Sequence, residues 1–207
     1  MSRIEAVVFD IGNVLIEWQP ERFYDCEVGE ARRRALFAAV DLASMNLRVD
    51  LGEDLRQVVE ETAARHPDQA DLIWLWHDRW IDLASPDIPQ SVRLLEALSA
   101  RGVKLFALTN FGTGTFRAAR QAYPFLDRFD RAFVSGDLKL LKPDPEIYHV
   151  VEAEGGVAPG ALFFTDDRPE NVAAAALRGW QTHLFDGPRG LAARLVAEGL
   201  LTEEEAR

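Results

Sequence analysis

A single cysteine, Cys26, stands among 207 residues, so the chain can close no disulfide of its own. A lone thiol fits a reducing compartment, and a cytoplasmic location is the expectation. Positive charge is scarce: 23 Lys and Arg face 34 Asp and Glu, a formal net charge of -11. That balance argues against nucleic acid and anionic membrane surfaces as partners. An acidic protein that handles an anion must neutralise it locally, with a metal ion or a placed lysine. Long apolar runs are missing too. No stretch reaches the roughly 18 apolar residues needed to span a bilayer. Arg3, Glu5 and Asp10 interrupt the start, where a secretory leader would be apolar. Repeats and low-complexity segments are lacking. Hydrophobic residues nevertheless make up 48% against 28% charged, enough for a packed core and too many for disorder.

What is present is organised around Ala6-Val7-Val8-Phe9-Asp10-Ile11-Gly12-Asn13-Val14-Leu15. Four apolar residues predict a strand buried on both faces. Asp10 closes it at the carboxyl end, where open parallel sheets bind ligands. Gly12 supplies backbone freedom for a sharp turn. On its own, the stretch is equally a strand ending in an ordinary turn. Ile16 to Pro20 then leaves the sheet. From about Pro20 to Ser85 the chain predicts helices and no strand. Leu55, Val58, Val59 and Thr62 recur at helical spacing over Asp54–Arg65, as do Leu72, Trp76, Trp80 and Leu83 over Asp71–Leu83. His66-Pro67-Asp68 separates those two helices. A helical segment of this size is too small for a comfortable free-standing domain, so residues 17–85 read as an insertion, between 1–16 and 86–207.

The remainder alternates. A helix from Pro89 to Ala100 precedes a strand over Val103–Leu108. A helix to about Tyr123 precedes a strand over Arg131–Val134. Asp144-Pro145 caps a helix that runs to Gly155-Gly156, before a strand over Ala161–Phe164. A helix opened by Arg168-Pro169 precedes a strand over Gln181–Phe185. A helix from about Gly190 to Glu198 follows, and Glu203-Glu204-Glu205 reads as a solvated tail. This rhythm predicts an α/β fold: a Rossmann-like, doubly wound parallel sheet in three layers, with an inserted helical cap.

Three strands end in polar residues: Asp10, Thr109-Asn110 and Asp166-Asp167. In a parallel sheet these ends share one edge. Converging carboxylates repel, and a bound cation or shared protons must relieve them. All-oxygen ligands favour a hard cation, Mg²⁺ where phosphate is the substrate. Lys142 adds positive charge, and a hydroxyl, an amide, a lysine and a metal together suit a tetrahedral dianion.

Phe9-Asp10-Ile11-Gly12-Asn13-Val14, Leu108-Thr109-Asn110, Lys142-Pro143-Asp144-Pro145-Glu146-Ile147-Tyr148 and Phe164-Thr165-Asp166-Asp167-Arg168-Pro169-Glu170-Asn171 resemble the four motifs of the haloacid dehalogenase superfamily. Their order and spacing are similar to the subgroup with a helical cap after the first motif, and within it to bacterial sugar-phosphate phosphatases. The resemblance implies a nucleophile at Asp10 that becomes an aspartyl-phosphate, and a small phosphate ester as substrate. It implies Mg²⁺ on Asp10, the Gly12 carbonyl, and Asp167 or Asp166. It further implies Thr109 and Asn110 on the phosphoryl oxygens, and Lys142 balancing their charge. The chain is expected to work as a monomer or homodimer.

One departure matters. Most phosphatases of this superfamily carry a second Asp two residues after the nucleophile, as general acid and base. Here Gly12 stands there. Losing a positioned acid costs about 10²–10⁴-fold in rate, so a bias toward good leaving groups is the expectation. Trp74, Trp76, His77 and Trp80 cluster on one cap helix. They read as an aromatic wall over substrate or, more plainly, as the cap's own packing. Trp18 and Arg22 could face the site from the hinge. A 2-haloacid dehalogenase and a non-catalytic phosphate-binding protein are the competing readings.

Overall fold

β1 (Ala6–Phe9) is buried along its whole length in the computed structural model, which describes residues 3–207. Strand alternation divides its side chains between two cores. Val7 and Phe9 join one apolar cluster, while Ala6 and Val8 join another. Six strands follow: β2 (Ile16–Trp18), β3 (Ala84–Asp87), β4 (Lys104–Thr109), β5 (Arg131–Val134), β6 (Leu162–Asp166) and β7 (Gln181–Leu184). Five of them form one parallel sheet in the order β5-β4-β1-β6-β7. β1 lies at its centre, and the chain runs outward to one side through β4 and β5, then to the other through β6 and β7. This is the doubly wound arrangement expected, with its crevice at the carboxyl end of the central strand.

Six helices separate β2 from β3: α1 (Pro20–Val28), α2 (Glu30–Ala39), α3 (Leu42–Asp50), α4 (Leu55–Arg65), α5 (Ala70–Asp78) and α6 (Trp80–Leu83). The core helices are α7 (Pro89–Ala100), α8 (Thr113–Ala122), α9 (Ser135–Leu138), α10 (Pro145–Gly155), α11 (Pro169–Leu177) and α12 (Pro188–Ala197). Leu94 and Leu98 of α7, Phe116 of α8 and Leu195 of α12 share a cluster with Val7 and Phe9. Ile147, Tyr148 and Val151 of α10 and Ala175 of α11 pack with Ala6 and Val8. The sheet therefore has helices on both faces. Each large apolar side chain buried this way contributes about 1.5–3 kcal/mol. Asp144 caps α10 as expected, its carboxylate accepting the Glu146 N–H at 2.9 Å. No helix among the described residues is long and apolar enough to cross a membrane.

Three expectations need correction, and a fourth needs refining. The stretch before the core helices is not free of strand, because β2 and β3 pair as a two-stranded antiparallel ribbon. Ala-Ser-Pro-Asp reads as a loop, yet an isolated ribbon has edges on which proline's missing N–H costs nothing. The helix expected over Asp71–Leu83 breaks at Arg79 (φ −121°, ψ 26°) into α5 and α6. Leu72, Trp76, Trp80 and Leu83 are all buried, so their spacing satisfied both segments and concealed the break. The left-handed residue after β1 is Asn13 (φ 55°), not Gly12. Finally, the acidic tail is exposed at Glu203-Glu204-Glu205 as expected but is not free: Glu205 accepts a bond from Arg101 at 2.8 Å, and Ala206 is buried.

Candidate active site

The sheet register builds the site. Phe9 pairs with Thr165, which sets Asp10 level with Asp166 across the β1–β6 ladder. Phe9 also pairs with Ala107, so Thr109 emerges on the same rim from the other neighbour. Asp10, Asp166, Thr109 and Lys142 are all buried there, and Asp167 is half-buried.

Lys142 is the centre of the charge arrangement. Its ammonium Nζ lies 2.8 Å from Asp10 Oδ1 and 2.6 Å from Asp166 Oδ2. Burial disfavours that charge, but the two carboxylates outweigh it and hold the ammonium above its usual range. Burial raises the Asp10 carboxyl to about 7; Lys142 opposes the rise and Asp166 adds to it. The Ile11 N–H donates to Asp10 Oδ1 at 2.7 Å and fixes its rotamer.

The two consecutive aspartates differ. Asp166 is saturated: Lys142, the Arg168 N–H at 2.8 Å and Asn171 Nδ2 at 3.0 Å from each oxygen fill its acceptor sites. Among the described residues, Asn13 Nδ2 is the side chain that donates to Asp167, at 3.2 Å, and Asp167 faces the cavity. Burial raises its pKa, and the Asn13 bond lowers it. One oxygen each from Asp10, Asp166 and Asp167 lies within 4.8 Å of the others, a spacing that could hold a cation. Lys142 offsets one of these charges, which leaves two negative charges that a divalent ion would cancel.

Thr109, Asn110, Gly12 and Lys142 line the same cavity as Asp10 and Asp167. The Asn110 side chain is committed to the Lys142 backbone. Its Oδ1 accepts the Lys142 N–H at 2.8 Å, and its Nδ2 donates to the Lys142 carbonyl at 3.0 Å. Asn110 thus positions the lysine. A side chain built at Gly12 would meet no atom within 4 Å, so the glycine is not demanded by packing.

The cavity has a volume of about 700 Å³ and reaches up into the helical cap. Trp76 and Trp80 are both buried in the cap and line it, so the two readings of these residues hold together. Trp18 of β2 lines it as well, edge-on to Trp76 with ring centres 5.7 Å apart. Arg22 instead pairs with Glu17 and donates to the Ser85 carbonyl, bracing the ribbon. Trp74 packs on His77, and His77 bonds Asp78, away from the cavity walls. Sequence reasoning assigned no role to Asn13, Asn171 or Asp50. Asn13 and Asn171 stand inside the quoted motifs, which was the available signal. Asp50 carried none.

With this geometry in view, the profile of haloacid dehalogenase-like hydrolases matches residues 4–179, and the chain belongs to that family of hydrolases. It is 26% identical over 200 residues to the sesquiterpene phosphatase astK of Aspergillus oryzae, covering 89% of this chain and 92% of that protein. A family enzyme of Bacteroides thetaiotaomicron, BT-2542, solved with magnesium and inorganic phosphate, superposes with a TM-score of 0.68 at 22% identity, covering 87% of this chain and 93% of the other. The L-2-haloacid dehalogenase of Xanthobacter autotrophicus superposes at 0.63 and 21%, covering 96% and 85%.

Proposed function

We propose that this hydrolase is a Mg²⁺-dependent phosphatase of small phosphorylated metabolites, with sugar phosphates the first candidates. Residues 1–16 and 86–207 form the catalytic core, and 17–85 a cap over it. The observation that carries the reading is the bridge from Lys142 to Asp10 and Asp166, with Asp167 left uncompensated beside it. A dehalogenase has no need of that extra carboxylate pair. The phosphatase name of one relative and the magnesium and phosphate bound to BT-2542 support the choice.

Asp10 attacks phosphorus and becomes an aspartyl-phosphate, which water then hydrolyses. Asp10, Asp167 and the Gly12 carbonyl would hold Mg²⁺, with the saturated Asp166 behind them holding Lys142 in place. The bound ion would supply positive charge to the phosphoryl oxygens. Lys142 keeps Asp10 aligned and shares that charge. Thr109 and the backbone of Asn110 receive the phosphoryl oxygens.

The cavity also limits the substrate. Lys142 and Arg168 are the cations among its lining residues, and Arg168 is already bonded to Glu170 at 2.7 Å. The cap side presents indole rings and carboxylates. That wall suits an uncharged alcohol and disfavours a second phosphate. Phosphate release from sugar, nucleoside and terpenyl monophosphates, with Mg²⁺ and with EDTA, tests the proposal. Mg²⁺-dependent release from monophosphates, and little from bisphosphates, is expected. No release from any ester, or chloride release from a 2-haloacid in EDTA, would sink it.

A further inference from the structure

An alcohol leaving phosphorus as an alkoxide needs a proton, and the first loop offers no side chain at Gly12 to give one. We propose that Asp50, at the inner end of cap helix α3, protonates the departing alcohol. This rests on the phosphatase reading above.

Elimination within the cavity leads to this residue. Asp10 is the nucleophile, Asp167 faces the cation, and Lys142 is held by two carboxylates. Three acidic residues of the ribbon and cap line the cavity and are committed elsewhere. Glu17 pairs with Arg22, Glu21 pairs with Arg33 at 3.3 Å, and Asp41 caps α3 through the Ser44 N–H at 2.9 Å. Asp50 lines the cavity without a cationic partner among the described residues. Its Oδ2 accepts Asn46 Nδ2 at 2.9 Å, and Asn46 Oδ1 in turn accepts Trp76 Nε1 at 3.3 Å. Its Oδ1 receives no hydrogen bond from the described residues. Arg48 on the same helix is taken by Glu53 and Glu61. On the core side Asp137 accepts from Thr113, and Lys139 is bonded to the Gly52 carbonyl. Burial, opposed only by the Asn46 bond, pushes the Asp50 carboxyl up to about 7, so protonated and ionised forms are both populated near neutral pH.

The helix end is also fixed against the phosphate loop. Ser135 Oγ donates to the Asp50 carbonyl at 2.6 Å and accepts the Phe111 N–H at 2.9 Å, one residue past Asn110. The seam is close: a Cβ at Gly112 would meet Val49 Cγ1 at 2.6 Å, and one at Gly52 would meet the Gly136 carbonyl at 2.2 Å. Asp50 therefore does not wander with the cap surface.

The step balances. The bond from Asp10 to phosphorus forms, the bond from phosphorus to the alcohol oxygen breaks, and the Asp50 proton passes to that oxygen. In the second step the Asp50 carboxylate takes a proton from the attacking water. The leaving-group bias expected from Gly12 is then masked in the wild type and exposed when Asp50 is neutralised.

The test is kcat/KM on a series of phosphate esters, from alkyl to p-nitrophenyl, for wild type and Asp50→Asn. In kcat/KM, which reports the steps through departure of the alcohol, the substitution should cost about 10²–10⁴-fold on alkyl esters and less than about threefold on p-nitrophenyl phosphate, whose leaving group needs no proton; kcat, which includes the attack of water, should fall on both. Retained p-nitrophenyl activity also reports a folded site. The wild type should lose alkyl activity above about pH 7, a limb absent in Asp50→Asn. Adding Gly12→Asp to Asp50→Asn should restore part of the alkyl rate. A loss equal across the series, or none, would overturn the inference. A wild type inert on every ester would instead overturn the phosphatase reading.

Discussion

Asp166, fully buried, and Asp50, half-buried, are two carboxylates on opposite sides of one cavity, and they are treated oppositely. At the sheet edge Asp166 has every acceptor site filled, by a lysine, an amide and a backbone N–H. On the cap side Asp50 has one neutral amide as partner. A carboxylate with its acceptor sites filled can only hold its neighbours in place. A half-buried carboxylate with one neutral partner can exchange a proton. The core rim is thus built for fixed geometry, and on the proposed reading the cap wall meets the alcohol.

The largest expected effect breaks the core side. Asp10→Asn should lower turnover by at least about 10⁴-fold, since it removes the proposed nucleophile, while thermal unfolding stays cooperative. Phosphate release by purified variant, followed over hours, checks it; more than a percent of wild-type activity would remove Asp10 from its role. Lys142→Met comes next. It leaves Asp10 and Asp166 facing each other without the ammonium they share. In EDTA it should cost about 3–5 kcal/mol of stability by urea unfolding, because the charges left behind are buried.

The third prediction separates the adjacent aspartates. Asp166→Asn should lower stability by about 1–3 kcal/mol in EDTA, by disrupting a filled hydrogen-bond set. Asp167→Asn should leave metal-free stability within about 0.5 kcal/mol, since it replaces a carboxylate holding one bond. Its loss should instead appear as weaker stabilisation by added Mg²⁺. The reverse pattern would exchange the two roles.

Much of the core side was legible before any coordinates. An apolar tetrapeptide ending in Asp10, and polar pairs ending two later strands, had to share an edge once the helices between them fixed parallel crossovers. The convergence of Asp10, Thr109 and Asp166-Asp167 followed from that, while the family and the role of Lys142 came from the resemblance of the motifs. What escaped depends on partners remote in sequence. The β2–β3 ribbon forms because two short segments meet across the helical insertion, and neither has strand character by itself. That Asn110 grips the Lys142 backbone is a contact 32 residues apart. Asp50 is an ordinary acidic residue at a helix end; only the packing of α3 on Ser135 and Phe111 brings it into the cavity.

The last effect concerns stability alone, and it sharpens the contrast between the two carboxylates. In the unfolded chain Asp50 ionises in the ordinary range near pH 4. In the folded protein burial holds the proton until about pH 7. Between these values the native state binds more protons than the unfolded state at this position, so its contribution to stability falls as pH rises. Below the window both states are protonated, and above it both are ionised, so the contribution is flat at either end. Asparagine does not titrate. The unfolding free energy of Asp50→Asn minus that of wild type, in EDTA, should therefore climb from about pH 4 to about pH 7 and then level off. Every other titrating group is common to both proteins and drops out of the difference. A difference that stays flat across the window would mean that Asp50 ionises as freely as a surface carboxylate, and the cap would then hold no proton to give.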